Sequence, residues 1–215
     1  LSSHLIVSTK PLAELYAPLV PSVCIVPNRL ELALWKGIAP RSRDRFSRRP
    51  RVGWAGAQQH GGGLALLRGT GRELACEGDW VFFGMGPAGC EMHVREYHPA
   101  VTFAEYPAKL ANLDLDIALA PLEINLFNEA KSNLRLLDYG YLGWPVICSD
   151  IFPYREGSPP VFRVSNTAAA WTTAIRELAA DPDARREAGE ALHQWVVANY
   201  LLEDNLADWA AALAP

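Results

Sequence analysis

Glu129, Lys131, Ser132 and Asn133 stand just ahead of a segment whose apolar residues, Leu134, Leu137 and Leu142, recur at helical spacing. Ser132 is a suitable helix cap, the three leucines are expected to face a sheet, and Asn133 and Arg135 are expected to face outwards. Gly143 stops the helix, Trp144-Pro145 turns the chain, and Val146–Cys148 opens a strand. The helix follows another apolar run, Ile117–Ala120. In an open parallel sheet, ligands bind at the C-terminal ends of strands, where helix N-termini face them. The free amides of Ser132 and Asn133 and the helix dipole favour phosphate there, and Lys131 adds a full positive charge. The residues alone read as an anion site beside a carboxylate, Glu129. They equally fit a solvated helix start with a surface Glu–Lys pair.

A second stretch, Arg51–Leu67, carries a strand ending in Gly53-Trp54-Ala55-Gly56 through Ala57, Gln58, Gln59 and His60 into Gly61-Gly62-Gly63 and a helix. Glycines here let backbone amides approach a diphosphate, although an ordinary turn has the same composition and His60 also suits a surface. The loop contains no Arg or Lys, which leaves Lys131 and Arg135 as the cations available to a diphosphate.

These residues need a scaffold. Strands are expected at Leu5–Val7, Val23–Val26, Val52–Ala55, Val81–Phe83, Val101–Phe103, Ile117–Ala120, Val146–Cys148 and Val161–Val164. The runs lack polar alternation and so read as buried on both faces. Amphipathic segments such as Lys109–Leu113 and Ser132–Leu142 lie between them. The alternation implies βαβ units and an α/β, Rossmann-like, doubly wound parallel sheet. After Thr167 the chain reads as helical: Asp181-Pro182 stops one helix and starts another that runs to Tyr200, and Leu201–Leu213 is a last amphipathic helix.

The 215 residues are half hydrophobic, with a formal net charge of -4. That balance speaks against nucleic acid as a partner. Six arginines from Arg41 to Arg51 sit among Pro40, Ser42, Ser47 and Pro50 and read as a solvated linker, an anionic-membrane or phosphate contact being the alternative. Cys24, Cys76, Cys90 and Cys148 show no metal-binding or disulfide spacing, so reduced structural thiols and a cytoplasmic location are expected, with no metal site. No apolar run approaches the ~20 residues of a membrane span. Because the first residue is Leu1, the chain is expected to begin partway through a longer protein.

The stretch Asp138-Tyr139-Gly140-Tyr141-Leu142-Gly143-Trp144-Pro145-Val146-Ile147-Cys148-Ser149 resembles the signature of retaining GT-B glycosyltransferases (family 4-like, group 1), specifically the C-terminal donor-binding domain. Val26-Pro27-Asn28-Arg29, Phe82-Phe83-Gly84, Val101–Tyr106 and Leu115–Leu122 are similar to further parts of that domain, in the same order. The resemblance implies transfer of a sugar from a nucleotide-diphosphate-sugar donor to an acceptor hydroxyl, with no metal or resident cofactor. It gives Glu129 the donor sugar and Asp138 the ribose. Eight residues separate the two acids where the family has seven, and Asp138 replaces a Glu. Lys131 and His60 are implied near the reacting centre, and Gly56, Ala57, Ser132, Asn133, Arg135 and Tyr106 around the nucleotide.

On this reading residues 1–38 are the remnant of an N-terminal acceptor domain, 39–50 a linker, 51–200 the nucleotide-sugar domain and 201–215 a crossing helix. The partners implied are a nucleotide sugar, an acceptor glycan, lipid or protein, and the missing N-terminal domain, with peripheral membrane association of the full protein left open. A nucleotide-sugar epimerase and a non-catalytic sugar-nucleotide module are the alternatives. A dinucleotide oxidoreductase is disfavoured, because no GxGxxG opens a first βαβ unit.

Overall fold

The computed structural model describes residues 3–38, 49–56, 61–84 and 94–214. A small unit comes first: β1 (Leu5–Val7), α1 (Lys10–Tyr16, capped by Thr9) and β2 (Val23–Ile25), with β1 and β2 paired in parallel as a separate two-stranded sheet. The short α2 (Leu32–Trp35) leads away from it.

The main sheet then follows. β3 (Arg51–Gly56), α3 (Gly61–Ala65), α4 (Arg68–Glu73), β4 (Asp79–Gly84), β5 (Val94–Pro99), α5 (Tyr106–Ala111) and β6 (Ile117–Ala120) make its first part. The second comprises α6 (Leu126–Glu129), α7 (Leu134–Tyr141), β7 (Val146–Ser149), β8 (Phe162–Val164), α8 (Ala168–Ala180), α9 (Pro182–Asn199) and α10 (Leu206–Leu213). The six strands pair in parallel in the order β5-β4-β3-β6-β7-β8, so the connections reverse direction between β3 and β6. This is the doubly wound sheet expected from the sequence, and its switch point lies where such folds open a ligand crevice.

The central strands β6 and β7 are buried at every position, which explains why they read as unbroken apolar runs. One expected strand is corrected. Val101–Phe103 is loop, with Phe103 77% exposed, and the edge strand is Val94–Pro99. Its Val-Arg-Glu-Tyr-His-Pro sequence alternates partly buried and exposed positions, and an edge strand tolerates both that alternation and a terminal proline.

Two apolar cores cover the sheet faces. Leu137, Tyr139, Leu142 and Trp144 join Leu192 and Val196 of α9 on one side, and Trp54, Trp80, Phe82 and Trp171 fill the other. The tail returns to the leading unit. Leu30 and Leu201 form a parallel bridge, Arg29 pairs with Asp208 at 2.6 Å, and His4 Nε2 lies 2.9 Å from the Ala212 carbonyl. Most of the linker, residues 39–48, lies outside the described residues.

Candidate functional site

A cavity of about 730 Å³ opens at the β3/β6 switch point. Ala55, Gly56, Phe83 and Gly84 bring the tips of β3 and β4 to it; Tyr106, Lys131, Ser132, Leu134, Arg135, Asp138 and Tyr154 complete most of the wall. Two buried contacts fix α7 over these strand tips. The Tyr139 hydroxyl, fully buried, accepts from the Ala55 amide at 2.8 Å. At the next residue, Leu192 and Val196 pack against Gly140.

The polar lining begins with Asp138. Its Oδ2 accepts a 2.9 Å hydrogen bond from the Tyr106 hydroxyl, and Tyr106 stacks on Phe83 with ring centroids 5.6 Å apart. Burial pushes the Asp138 carboxyl up to about 7, against the Tyr106 hydrogen bond and the Arg135 charge, which both favour ionisation. Burial also holds the Tyr106 hydroxyl well above its ordinary range, with Asp138 adding to the effect.

One turn earlier on α7, the Arg135 guanidinium lies 5.5 Å above the Trp54 ring and hydrogen-bonds the Tyr154 hydroxyl. A side chain at Gly56 would collide with the Trp54 indole and crowd Arg135 Nη2, so glycine there keeps the guanidinium at the strand tip. Lys131 stands 4.7 Å above the Phe127 ring, and burial with Arg135 nearby lowers its pKa while Glu123 opposes the shift. Neither Arg135 nor Lys131 forms an ion pair with a described residue. Two cations therefore face one crevice with no carboxylate of a described residue bonded to either.

The structure thus brings Gly56, Lys131, Ser132, Arg135, Asp138 and Tyr106 together around one cavity. Four details differ from the sequence reading. Arg135 does not face outwards; it lines the cavity. Leu134 is 41% exposed at the cavity wall, not turned to the sheet as Leu137 is. Asn133, not Ser132, holds the helix-cap position, and Asn133 is buried and hydrogen-bonded to the Tyr200 hydroxyl. Ser132 Oγ instead accepts from Asn28 Nδ2 at 2.8 Å, linking the cavity wall to the leading unit. Leu134 and Arg135 lie in the first turn of α7, which borders the cavity at the strand tips, whereas Leu137 lies further along the helix in the core.

Glu129 is not among the residues that line the cavity; its Oε2 accepts from the Phe152 amide at 2.9 Å. Ala57 and His60 lie outside the described residues. Sequence reasoning missed Tyr154, which lies in a 3₁₀ turn after β7 and carries no spacing signal, and the Trp54 platform, which read only as part of a strand. Among the described residues no group of three His, Cys, Asp or Glu side chains is arranged to hold a metal ion, and no helix is long and apolar enough to cross a membrane.

No protein-family model and no curated protein matches the chain. Solved structures do. Sucrose-phosphate synthase from Thermosynechococcus elongatus aligns with TM-score 0.73 and 16% identity over 98% of this chain and 57% of that one. S. aureus TarM, solved in complex with fondaparinux, α-GlcNAc-glycerol and UDP, aligns with TM-score 0.70 and 14% identity over 99% of this chain and 44% of its own. Anabaena HepE, in complex with UDP and glucose, gives TM-score 0.69 and 10% identity over 99% and 64%. The structural neighbours are GT-B glycosyltransferases, and the chain has the Rossmann-like fold found in them. It spans about half the length of the structures it matches.

Proposed function

We propose that the cavity binds a nucleoside-diphosphate sugar and that the chain supplies the donor side of a sugar transferase. The observation that carries this reading is the pair of cations, Arg135 and Lys131, entering a crevice of about 730 Å³ with no carboxylate of a described residue bonded to either. A half-buried guanidinium held by a neutral hydroxyl and an aromatic ring is stabilised further by an anion, and a diphosphate is the anion that suits two adjacent cations.

In this reading the base lies against Phe83, Gly84, Val101 and Tyr106, and Asp138 accepts from the ribose hydroxyls. The diphosphate spans Arg135, Lys131 and the backbone at Gly56, Ser132 and Asn133. Ala57 and His60 keep the neighbouring positions that the family resemblance implies. Glu129 braces the wall through Phe152, whatever contact it makes with the sugar.

Transfer would release the nucleoside diphosphate, and the two cations stabilise the charge that builds on it as the bond to the anomeric carbon breaks. Retention at that carbon and the absence of a resident cofactor follow the resemblance, and the cytoplasmic location follows the reading of the cysteines as reduced thiols. The acceptor, a glycan, lipid or protein hydroxyl, belongs to a larger protein with an acceptor domain, so the 215-residue chain binds donor without transferring its sugar. The loop between Gly56 and Gly61 has no Arg or Lys, which favours a second reading as a non-catalytic recognition module.

A thermal-shift screen with UDP, GDP, ADP and dTDP sugars tests binding, because a ligand at about 100 times its Kd adds about 2.7 kcal/mol of stability. A raised melting temperature with one base is the expected result. No shift with any of them contradicts the proposal.

A further inference from the structure

Lys131 and Ser132 reach the cavity on a short segment between α6 and α7, and that segment is gripped from outside the main sheet. Thr9 of the leading unit, 2% exposed, donates its hydroxyl to the Ala130 carbonyl at 2.9 Å. Asn28, which follows β2, donates from Nδ2 to Ser132 Oγ at 2.8 Å. The Asn133 side chain hydrogen-bonds the Tyr200 hydroxyl at the C-cap of α9. These outer elements are themselves tied together. The Leu30 amide donates to the Tyr200 carbonyl at 2.9 Å, and the Leu202 amide donates to the Leu30 carbonyl at 2.9 Å. Asn28 therefore stands close in sequence to a backbone bridge that joins the leading unit to the tail, and both of these hold the segment that carries Lys131.

The direction of the Asn28 bond decides what Ser132 can do. A serine hydroxyl has one hydrogen to donate and two lone pairs with which to accept. Because the Asn28 amide group donates, Ser132 Oγ accepts, and its own hydrogen is kept for another partner. That hydrogen goes to no described residue, and Ser132 lines the cavity together with Lys131 and Arg135. Accepting one hydrogen bond also strengthens the donor on the same oxygen. A hydroxyl turned in advance loses less freedom when a ligand arrives than one that rotates at will. Asn28 itself is not among the residues that line the cavity, so it acts on the site through Ser132.

We infer that Asn28 is a positioning residue for the donor: it makes the Ser132 hydroxyl a donor aimed at the diphosphate, and so brings the leading unit into the phosphate grip. The inference rests on the nucleoside-diphosphate reading of the cavity, because it takes the anion beside Lys131 and Arg135 to be the diphosphate. The residue type at 28 matters for the same reason. An aspartate of similar shape only accepts, so it takes the Ser132 hydrogen for itself and turns a lone pair towards the phosphate.

The test is a double-mutant cycle in the 215-residue chain, with Asn28→Ala, Ser132→Ala and the two together, followed by calorimetric titration. The probes are UDP, GDP, ADP and dTDP, each beside its own nucleoside. Ser132→Ala is expected to weaken the preferred diphosphate by about ten- to hundredfold, the loss of a hydrogen bond to a charged group, and Asn28→Ala by about three- to tenfold. The double variant is expected to bind like Ser132→Ala within about twofold, and every variant to bind the nucleoside like the wild type. If Asn28→Ala melts too low to titrate, Asn28→Asp takes its place in the cycle and is expected to weaken the diphosphate at least as much. A loss at position 28 that persists undiminished without the Ser132 hydroxyl, or that the nucleoside shares, would show a structural role only and overturn the inference. Diphosphate affinity unaltered by either single substitution would overturn it as well and leave the nucleotide site standing. Failure of every diphosphate to bind would overturn the inference together with the reading beneath it.

Discussion

The Tyr106 hydroxyl donates to Asp138 Oδ2 at 2.9 Å, joining the start of α5 to the middle of α7 across the cavity. The bond aims one carboxylate oxygen and leaves the other for a ligand. Asp138 lies on the helix that brings Arg135 to the strand tips, so the acid and the cation are set by one rigid element.

Burial raises the Asp138 pKa from an ordinary 3.8 to about 7. Between these values the folded chain holds a proton that the unfolded chain has released. Stability therefore falls as pH rises from about 4 to about 7 and levels off above that. Asp138→Asn removes this dependence. Relative to wild type it is expected to gain about 1–3 kcal/mol between pH 4.5 and pH 8, a value reduced from the full shift because the group borders an open cavity. Thermal melts across that range check it, and a difference that does not change with pH would show Asp138 to be ionised throughout.

Tyr139→Phe tests the positioning of α7. The substitution leaves the buried Ala55 amide without its acceptor, which costs about 1–3 kcal/mol, or a drop of about 2–12 °C in melting temperature for a chain of this size. Nucleotide affinity is expected to fall with it, because the same contact holds Arg135 above Gly56. A variant that melts lower but binds nucleotide like wild type would separate the two roles.

Much of this was legible in the sequence, for reasons that also mark where legibility ends. Ile117–Ala120 and Val146–Ser149 are buried on both faces and so announce themselves as apolar runs; Val94–Pro99 lies at the sheet edge, and its alternation hid it. Lys131 was found from its place after a buried strand, Arg135 because the Gly-rich loop offers no other cation, and Asp138 from the family resemblance. The inward facing of Arg135 was not, because the first turn of α7 borders the cavity and not the sheet, which only the packed structure shows.

Lys131 separates a diphosphate site from a solvated surface pair. Lys131→Ala is expected to weaken nucleoside diphosphate binding by about 1.5–3 kcal/mol and to leave nucleoside binding unchanged. Lys131→Arg is expected to recover only part of the loss, because a planar fork replaces a point charge. In a full-length transferase, the alanine substitution should lower kcat more than it raises KM, as expected for a contact that strengthens while charge builds on the leaving group. Equal weakening of diphosphate and nucleoside would remove Lys131 from the phosphate site.

The most direct test of the central claim is a calorimetric titration of the 215-residue chain with UDP, GDP, ADP and dTDP, repeated with Arg135→Met and Asp138→Ala. The cavity geometry predicts one-to-one binding of at least one diphosphate. Asp138→Ala should then lose about 1–3 kcal/mol of binding energy, and Arg135→Met at least as much, in chains whose melts show them folded. Binding of no diphosphate, or binding that neither substitution alters, would contradict the assignment of this cavity to a nucleotide.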